Sequence, residues 1–100
     1  MAALRFRPAA RRDLSEIWQY TARTWSPDQA DRYVRALHEC CGDLAKGLYP
    51  GTDIGWLLPN ARKQRSGSHM IYFRPVADGI VIIRILHLRQ DTERALRSPG

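Results

Sequence analysis

The period of apolar and polar positions changes along these 100 residues, and the changes mark the element boundaries. Leu4 and Phe6 alternate with Arg5 and Arg7, which predicts a short edge strand over residues 3–7. Pro8 suits the first turn of a helix, where its missing N–H costs nothing. From there Leu14, Ile17, Trp18, Thr21 and Trp25 follow the spacing of one helical face, so Trp18 and Trp25 are expected in the core. Asp13 and Glu16 lie near the start of this helix, although Arg11 and Arg12 oppose its dipole.

Ser26-Pro27-Asp28-Gln29 is the clearest local signal in the chain. Ser26 can cap a second helix, Pro27 fits its first position, and Gln29 falls where a capping box needs Glu or Gln. Ala30, Tyr33, Val34, Leu37, Cys41, Leu44 and Ala45 then trace an apolar stripe that Gly47 ends as a left-handed cap. Residues 9–46 therefore read as two helices joined by a very short turn, an antiparallel hairpin.

Gly47, Pro50, Gly51, Gly55, Pro59 and Asn60 make residues 47–60 a loop, with Trp56, Leu57 and Leu58 expected to fold back onto the core. Thereafter the period is two. Strands are predicted over Arg62–Arg65, His69–Arg74 and Ile80–Leu88, with turns at Ser66-Gly67 and Ala77-Asp78-Gly79. The last strand is apolar on both faces, Val81, Ile83 and Ile85 alternating with Ile80, Ile82 and Leu86, so it should be central. The helical hairpin covers one face. Only the tail 89–100 remains for the other, so the pattern predicts that a partner covers Ile80, Ile82 and Leu86. The whole is one α+β domain over residues 1–100: an N-terminal strand, an antiparallel helical hairpin, then a three-stranded antiparallel sheet at about 60–88.

Composition narrows the class. With 44% hydrophobic residues, 7 Gly and 6 Pro, the chain is neither disordered nor fibrous. The run Ile80–Ile83 ends at Arg84, far short of the roughly 18 apolar residues a membrane span needs. The N-terminus lacks an apolar stretch of signal-peptide length, so a cytoplasmic protein is expected, with no membrane contact. The two adjacent cysteines, Cys40 and Cys41, make no disulfide framework, and the three scattered His residues predict no metal site and no cofactor.

Charge adds a direction. Net charge is +6, and 14 of the 16 basic residues are Arg. Residues 1–12 carry +4, residues 13–58 carry −3 and residues 59–100 carry +5. This asymmetry suits an anionic partner, nucleic acid or acidic peptide; Arg filling solvated positions explains it equally well. Arg62, Lys63, Arg65, His69, Arg84 and His87 gather on the predicted sheet. There, His or Lys can serve as acid or base on an RNA 2′-hydroxyl, and Arg can steady the phosphorane. Each has a structural reading too: His69 as a hydrogen-bonded strand residue, His87 as a core-edge residue. Arg84, if buried, must be paired, with Asp91, Glu93 or another protein's carboxylate as the candidates. The aromatics do not interleave with basic residues along the chain, which argues against a base-stacking platform.

The stretch Leu14-Ser15-Glu16-Ile17-Trp18-Gln19-Tyr20-Thr21, then Trp25-Ser26, Gln29-Ala30 and Tyr33, resembles the helical hairpin of ParE toxins in the RelE/ParE superfamily. Gly67-Ser68-His69-Met70-Ile71-Tyr72-Phe73-Arg74 resembles the family's Gly-x-His-x-Ile-x-Tyr-Arg strand, with Tyr and Phe exchanged. Ile83-Arg84-Ile85-Leu86-His87 followed by Asp91 is similar to its Arg-Ile-Leu-His…Asp close. The resemblance runs from about Leu4 to Leu96. It implies a toxin of a type II toxin–antitoxin system, neutralised by a ParD-like antitoxin whose acidic C-terminal segment wraps it. DNA is then met only through the antitoxin's ribbon-helix-helix part. It further implies inhibition of DNA gyrase by binding, without a catalytic site.

Under this reading the antitoxin contacts are Tyr72, Arg74, Ile80, Ile82, Arg84 and Leu86, and the target contacts are Arg89, Arg94 and Arg97. The loop Thr52–Asn60 is a place where target choice can be set. The alternative is a ribosome-dependent mRNA endonuclease of the RelE type, using Arg65, His69, Arg84 and His87. Two features weigh against it: only two Lys are present, and the tail 89–100 has neither Tyr nor His. A relic that keeps its antitoxin but has lost its target is a third reading.

Overall fold

Two helix ends show how closely local chemistry is followed. In the computed structural model, which describes residues 2–97, Ser26 Oγ accepts the Gln29 N–H at 3.1 Å, with Pro27 at the first helical position. At the other end of that helix Gly47 adopts φ 76°, which a side chain would disfavour. Its N–H bonds to Leu44 O and that of Leu48 to Asp43 O, each at 3.1 Å, so the last carbonyls are satisfied in a Schellman arrangement. The elements are β1 (Ala3–Phe6), α1 (Pro8–Thr24), α2 (Pro27–Ala45), β2 (Thr52–Asp53), β3 (Arg62–Ser66), β4 (His69–Val76), β5 (Gly79–His87) and α3 (Thr92–Arg97). The helical hairpin and the three antiparallel strands stand where the pattern predicted them.

The sheet is larger than the expected three strands. It has five, in the order β1-β5-β4-β3-β2. β1 lies parallel to β5, from Ala3 opposite Gly79 to Phe6 opposite Ile82, and so makes β5 an interior strand. A Cβ on Gly79 would stand 1.9 Å from Ala3 O, so only glycine lets the two backbones approach this closely. β2 is a two-residue addition on β3 that no sequence period could announce.

A bulge corrects the two-faced reading of β5. Phe73 pairs with Ile82 but Tyr72 with Arg84, leaving Ile83 as an extra residue. The phase therefore switches. Ile80, Ile82 and Ile85 pack with Ile71, Phe73 and the helical residues Ala10, Ile17, Leu37, Cys41 and Leu44. Ile83 and Leu86 turn to the opposite face.

That opposite face is covered by the chain itself. Ile54, Ala61, Tyr72, Ile83, Leu86 and Leu96 form a second buried cluster, with Leu57, Leu58, Met70 and Ala95 around it. The expectation of an uncovered face needing a partner is thus overturned. The tail was not expected to cover this face, but its α3 lays Leu96 on the sheet, tied by Tyr72 Oη to Thr92 Oγ1 at 3.1 Å and capped by Asp91 Oδ1 on the Arg94 N–H. Ile80, Ile82, Leu86 and Tyr72 are at most 4% exposed, so these four proposed antitoxin contacts belong to the cores. Trp56 departs from its neighbours Leu57 and Leu58, pointing outward at 77% exposure.

Candidate functional site

At the turn end of the helical hairpin, α1 and the start of α2 face the first residues of β4 and the last of β5 across a groove of about 690 Å³. Its helical wall carries Asp13, Glu16, Ile17, Tyr20, Thr21, Trp25, Gln29 and Tyr33; its sheet wall carries Ser68, His69, Arg84, Ile85, His87, Arg89 and Gln90. Residues 35 (Tyr33 and Ser68) to 77 (Asp13 and Gln90) positions apart in the chain meet here because the antiparallel hairpin lies on the side of the sheet where β4 begins and β5 ends.

Asp13 and Arg84 form the floor. Arg84 Nε and Nη2 donate to the two Asp13 oxygens at 2.8 and 2.9 Å, while Nη1 donates to Ala95 O at 3.1 Å. Asp13 Oδ2 also accepts the Ile85 N–H at 2.9 Å, on a stretch of β5 that β1 no longer pairs. The carboxylate therefore does two jobs: it neutralises a half-buried guanidinium and closes an open strand edge. Hydrogen bonding to Asp13 raises the Arg84 pKa, against the opposing effect of burial. The partner of Arg84 is thus neither Asp91 nor Glu93, and lies within this chain. Asp13 was passed over in the sequence, although its place three residues after Ala10 and four before Ile17 puts a charge on the apolar face, a signal of a buried pair.

Histidines form the sheet wall. His69 and His87 are cross-strand partners with ring centroids 5.3 Å apart, edge to face. Tyr33 Oη accepts the Ser68 N–H at 3.0 Å and lies 2.6 Å from His69 Nδ1. Burial first, and then His87, push the His69 imidazole down to about 4, with Asp13 opposing. His69 is neutral near pH 7.

This neutrality has a consequence for stability. The unfolded chain protonates His69 near 6.5, the folded chain only near 4, so acidification between these values favours unfolding, and no such loss from this group occurs above 6.5. We expect the thermal midpoint of the full chain to fall from pH 7 to pH 5, and to fall less in His69→Gln. Equal slopes in the two proteins would contradict the assignment.

The fold brings together three of the four residues considered for nuclease chemistry, His69, Arg84 and His87; Arg65 lies elsewhere, with its Nε on Gly67 O at 3.0 Å. Arg74 is half-buried and holds Pro59 O at 3.1 Å. Arg89 lines the groove and is exposed, and Arg94 and Arg97 lie exposed on α3. Trp25 was expected in the core but is 70% exposed, because α1 ends at Thr24 and the turn carries it off the buried face. Trp18 is half-buried and donates to Asp31 at 2.8 Å. Cys41 is fully buried, which pushes its thiol up to about 12 and leaves it unreactive.

The family model for the ParE toxin of the type II toxin–antitoxin system parDE matches residues 4–92. This chain belongs to the ParE toxin family. "Toxin ParE1" of Mycobacterium tuberculosis is 36% identical over 90 residues, covering 89% of this chain and 92% of that protein. "Toxin ParE1" of Caulobacter vibrioides is 33% identical over 87 residues, covering 87% and 90%. Among solved structures, the "Chromosomal ParDE TA system from P. aeruginosa" contains a chain matched with a TM-score of 0.74 at 22% identity, covering 89% of this chain and 98% of that one. At that identity the likeness supports the fold, and the sequence relatives support the family. This ParE toxin has no helix among its described residues long and apolar enough to cross a membrane.

Proposed function

We propose that this ParE toxin acts by binding DNA gyrase and that a ParD-like antitoxin holds it inactive. The match to the toxin family over residues 4–92 carries the reading. Binding rather than catalysis is supported by the state of Arg84. Its Nε, Nη1 and Nη2 are engaged by Asp13 and Ala95 O, so this guanidinium is a structural group and not one poised for a phosphate. The net charge of +6 suits an acidic antitoxin segment. Of the sheet residues first considered for that contact, Arg74 keeps accessible surface. Arg89, Arg94 and Arg97 are the proposed target contacts.

The test is a supercoiling assay with purified gyrase and the full chain. Loss of supercoiling with accumulation of cleaved DNA complexes, relieved by the antitoxin, is the expected result. Unchanged supercoiling together with message cleavage on ribosomes would overturn the reading in favour of the endonuclease.

A further inference from the structure

Apart from Arg89, the groove gathers groups that the antitoxin and gyrase reading does not use. Tyr20 and Trp25 stand on its helical wall, 63% and 70% exposed, offering flat aromatic faces to solvent. Opposite them stand the two imidazoles. His69 Nδ1 faces the Tyr33 hydroxyl, whose oxygen already accepts the Ser68 N–H. His87 Nδ1 accepts the Arg89 backbone N–H at 3.1 Å, and a backbone N–H can only donate. His87 therefore carries its ring proton on Nε2 and presents a donor there, as does His69 in the tautomer whose Nδ1 accepts from Tyr33. Such a pair suits an oxyanion and not a metal ion.

The surrounding charges agree with that choice. Arg89 adds an exposed guanidinium to the lining. Gln90 Oε1 is held by the His87 N–H at 2.8 Å, which leaves its amide NH₂ as a further donor. Of the two carboxylates on the lining, Asp13 is neutralised by Arg84, and Glu16, exposed on the same wall, also acts on Arg84.

We propose that this groove binds a nucleotide, its phosphate held by His69, His87 and Arg89 and its base stacked on Trp25 or Tyr20. Donors beside a guanidinium select a phosphate oxygen, and an exposed aromatic face stacks any base. A groove of about 690 Å³ lies within the range of small-molecule sites. An acidic side chain would satisfy the donors but leave both aromatic faces unused, whereas a nucleotide supplies an anion and a flat ring in one ligand. Free mononucleotides and single strands share this chemistry. The site shares Arg89 with the proposed target contacts and otherwise does not depend on gyrase being the target.

The experiment follows the Trp25 indole N–H and the His69 and His87 ring signals by NMR in the full-length protein. Probes are AMP, adenosine, inorganic phosphate, a short oligodeoxyadenylate and an oligoglutamate peptide. We expect AMP to move all three residues saturably, with adenosine and phosphate each at least about tenfold weaker. Trp25→Ala, Arg89→Gln and His87→Ala each weaken AMP binding about tenfold, while Trp56→Ala leaves it unchanged. Tighter binding of the oligonucleotide than of AMP identifies a strand as the natural ligand; equal binding identifies the free nucleotide. No movement with AMP or oligonucleotide up to about 10 mM, or movement with oligoglutamate alone, overturns the proposal. So does undiminished binding in a folded Trp25→Ala and Arg89→Gln pair of variants.

Discussion

Asp13→Ala should destabilise the folded chain by about 3 kcal/mol or more, the range found when one partner of a buried pair is removed. Asp13 is 7% exposed, and the Arg84 side chain 20%, so little water is available to replace the carboxylate. The variant strands the guanidinium and also orphans the Ile85 N–H, which Asp13 Oδ2 accepts at 2.9 Å. Urea titration checks it, as a lowered midpoint at an unchanged slope. A loss below about 1 kcal/mol would show that water or Glu16 substitutes for Asp13. The pair Arg5–Asp78 is the internal control. Both side chains are more than half exposed, at 57% and 58%, so Asp78→Ala should be close to neutral despite a similar 2.9 Å geometry. Replacing Asp13 and Arg84 together by Leu should recover part of the loss, since no charge is then left unpaired.

Leu86→Ala should cost about 2–5 kcal/mol of stability, as for a large aliphatic side chain in a closed core. Leu86 is 0% exposed and packs with Ile54, Ala61, Tyr72, Ile83 and Leu96. The residue discriminates sharply between two views of this face. If a partner supplied the cover, truncation would weaken that association and leave the isolated toxin unaffected. Because α3 and the segment Ile54–Ala61 supply it, the isolated chain should lose stability, and Leu96→Ala should act in the same direction from the other side of the contact. Thermal denaturation of the isolated variants decides between the two. An unchanged midpoint for Leu86→Ala would mean that α3 does not close on the sheet in solution.

Both predictions concern residues whose roles were only half visible in the chain. That Arg84 needed a carboxylate followed from its place in an apolar strand. Which carboxylate it meets did not, because Asp13 lies 71 positions away and only the packing of α1 on β5 brings it there. Leu86 was legible as buried on a central strand, but its cover was assigned to another protein. The tail residues Thr92–Arg97 are too few for a reliable helical period, and their one buried apolar residue, Leu96, gives no pattern of its own.

The candidate groove divides in the same way. Tyr20, Trp25, Tyr33, His69, His87 and Arg89 are each ordinary in sequence, and no stretch interleaves aromatic with basic residues. Folding does the interleaving. The hairpin turn at Trp25-Ser26 carries one aromatic to the groove rim, and the His69–His87 register pair faces it from the sheet.

What the sequence alone determined were the features governed by neighbours within a few positions. These are the capped helical hairpin, the glycine stop at Gly47, the three antiparallel strands and the ParE-type order of motifs. Propensity, capping and period act over one or two turns, and they leave their marks locally. The tertiary structure alone decided the parallel addition of β1, the bulge at Ile83, the cover supplied by α3 and the meeting of Asp13 with Arg84. Each is a contact between distant segments, chosen by which arrangement buries the most apolar surface while pairing every buried charge, a comparison no local pattern encodes.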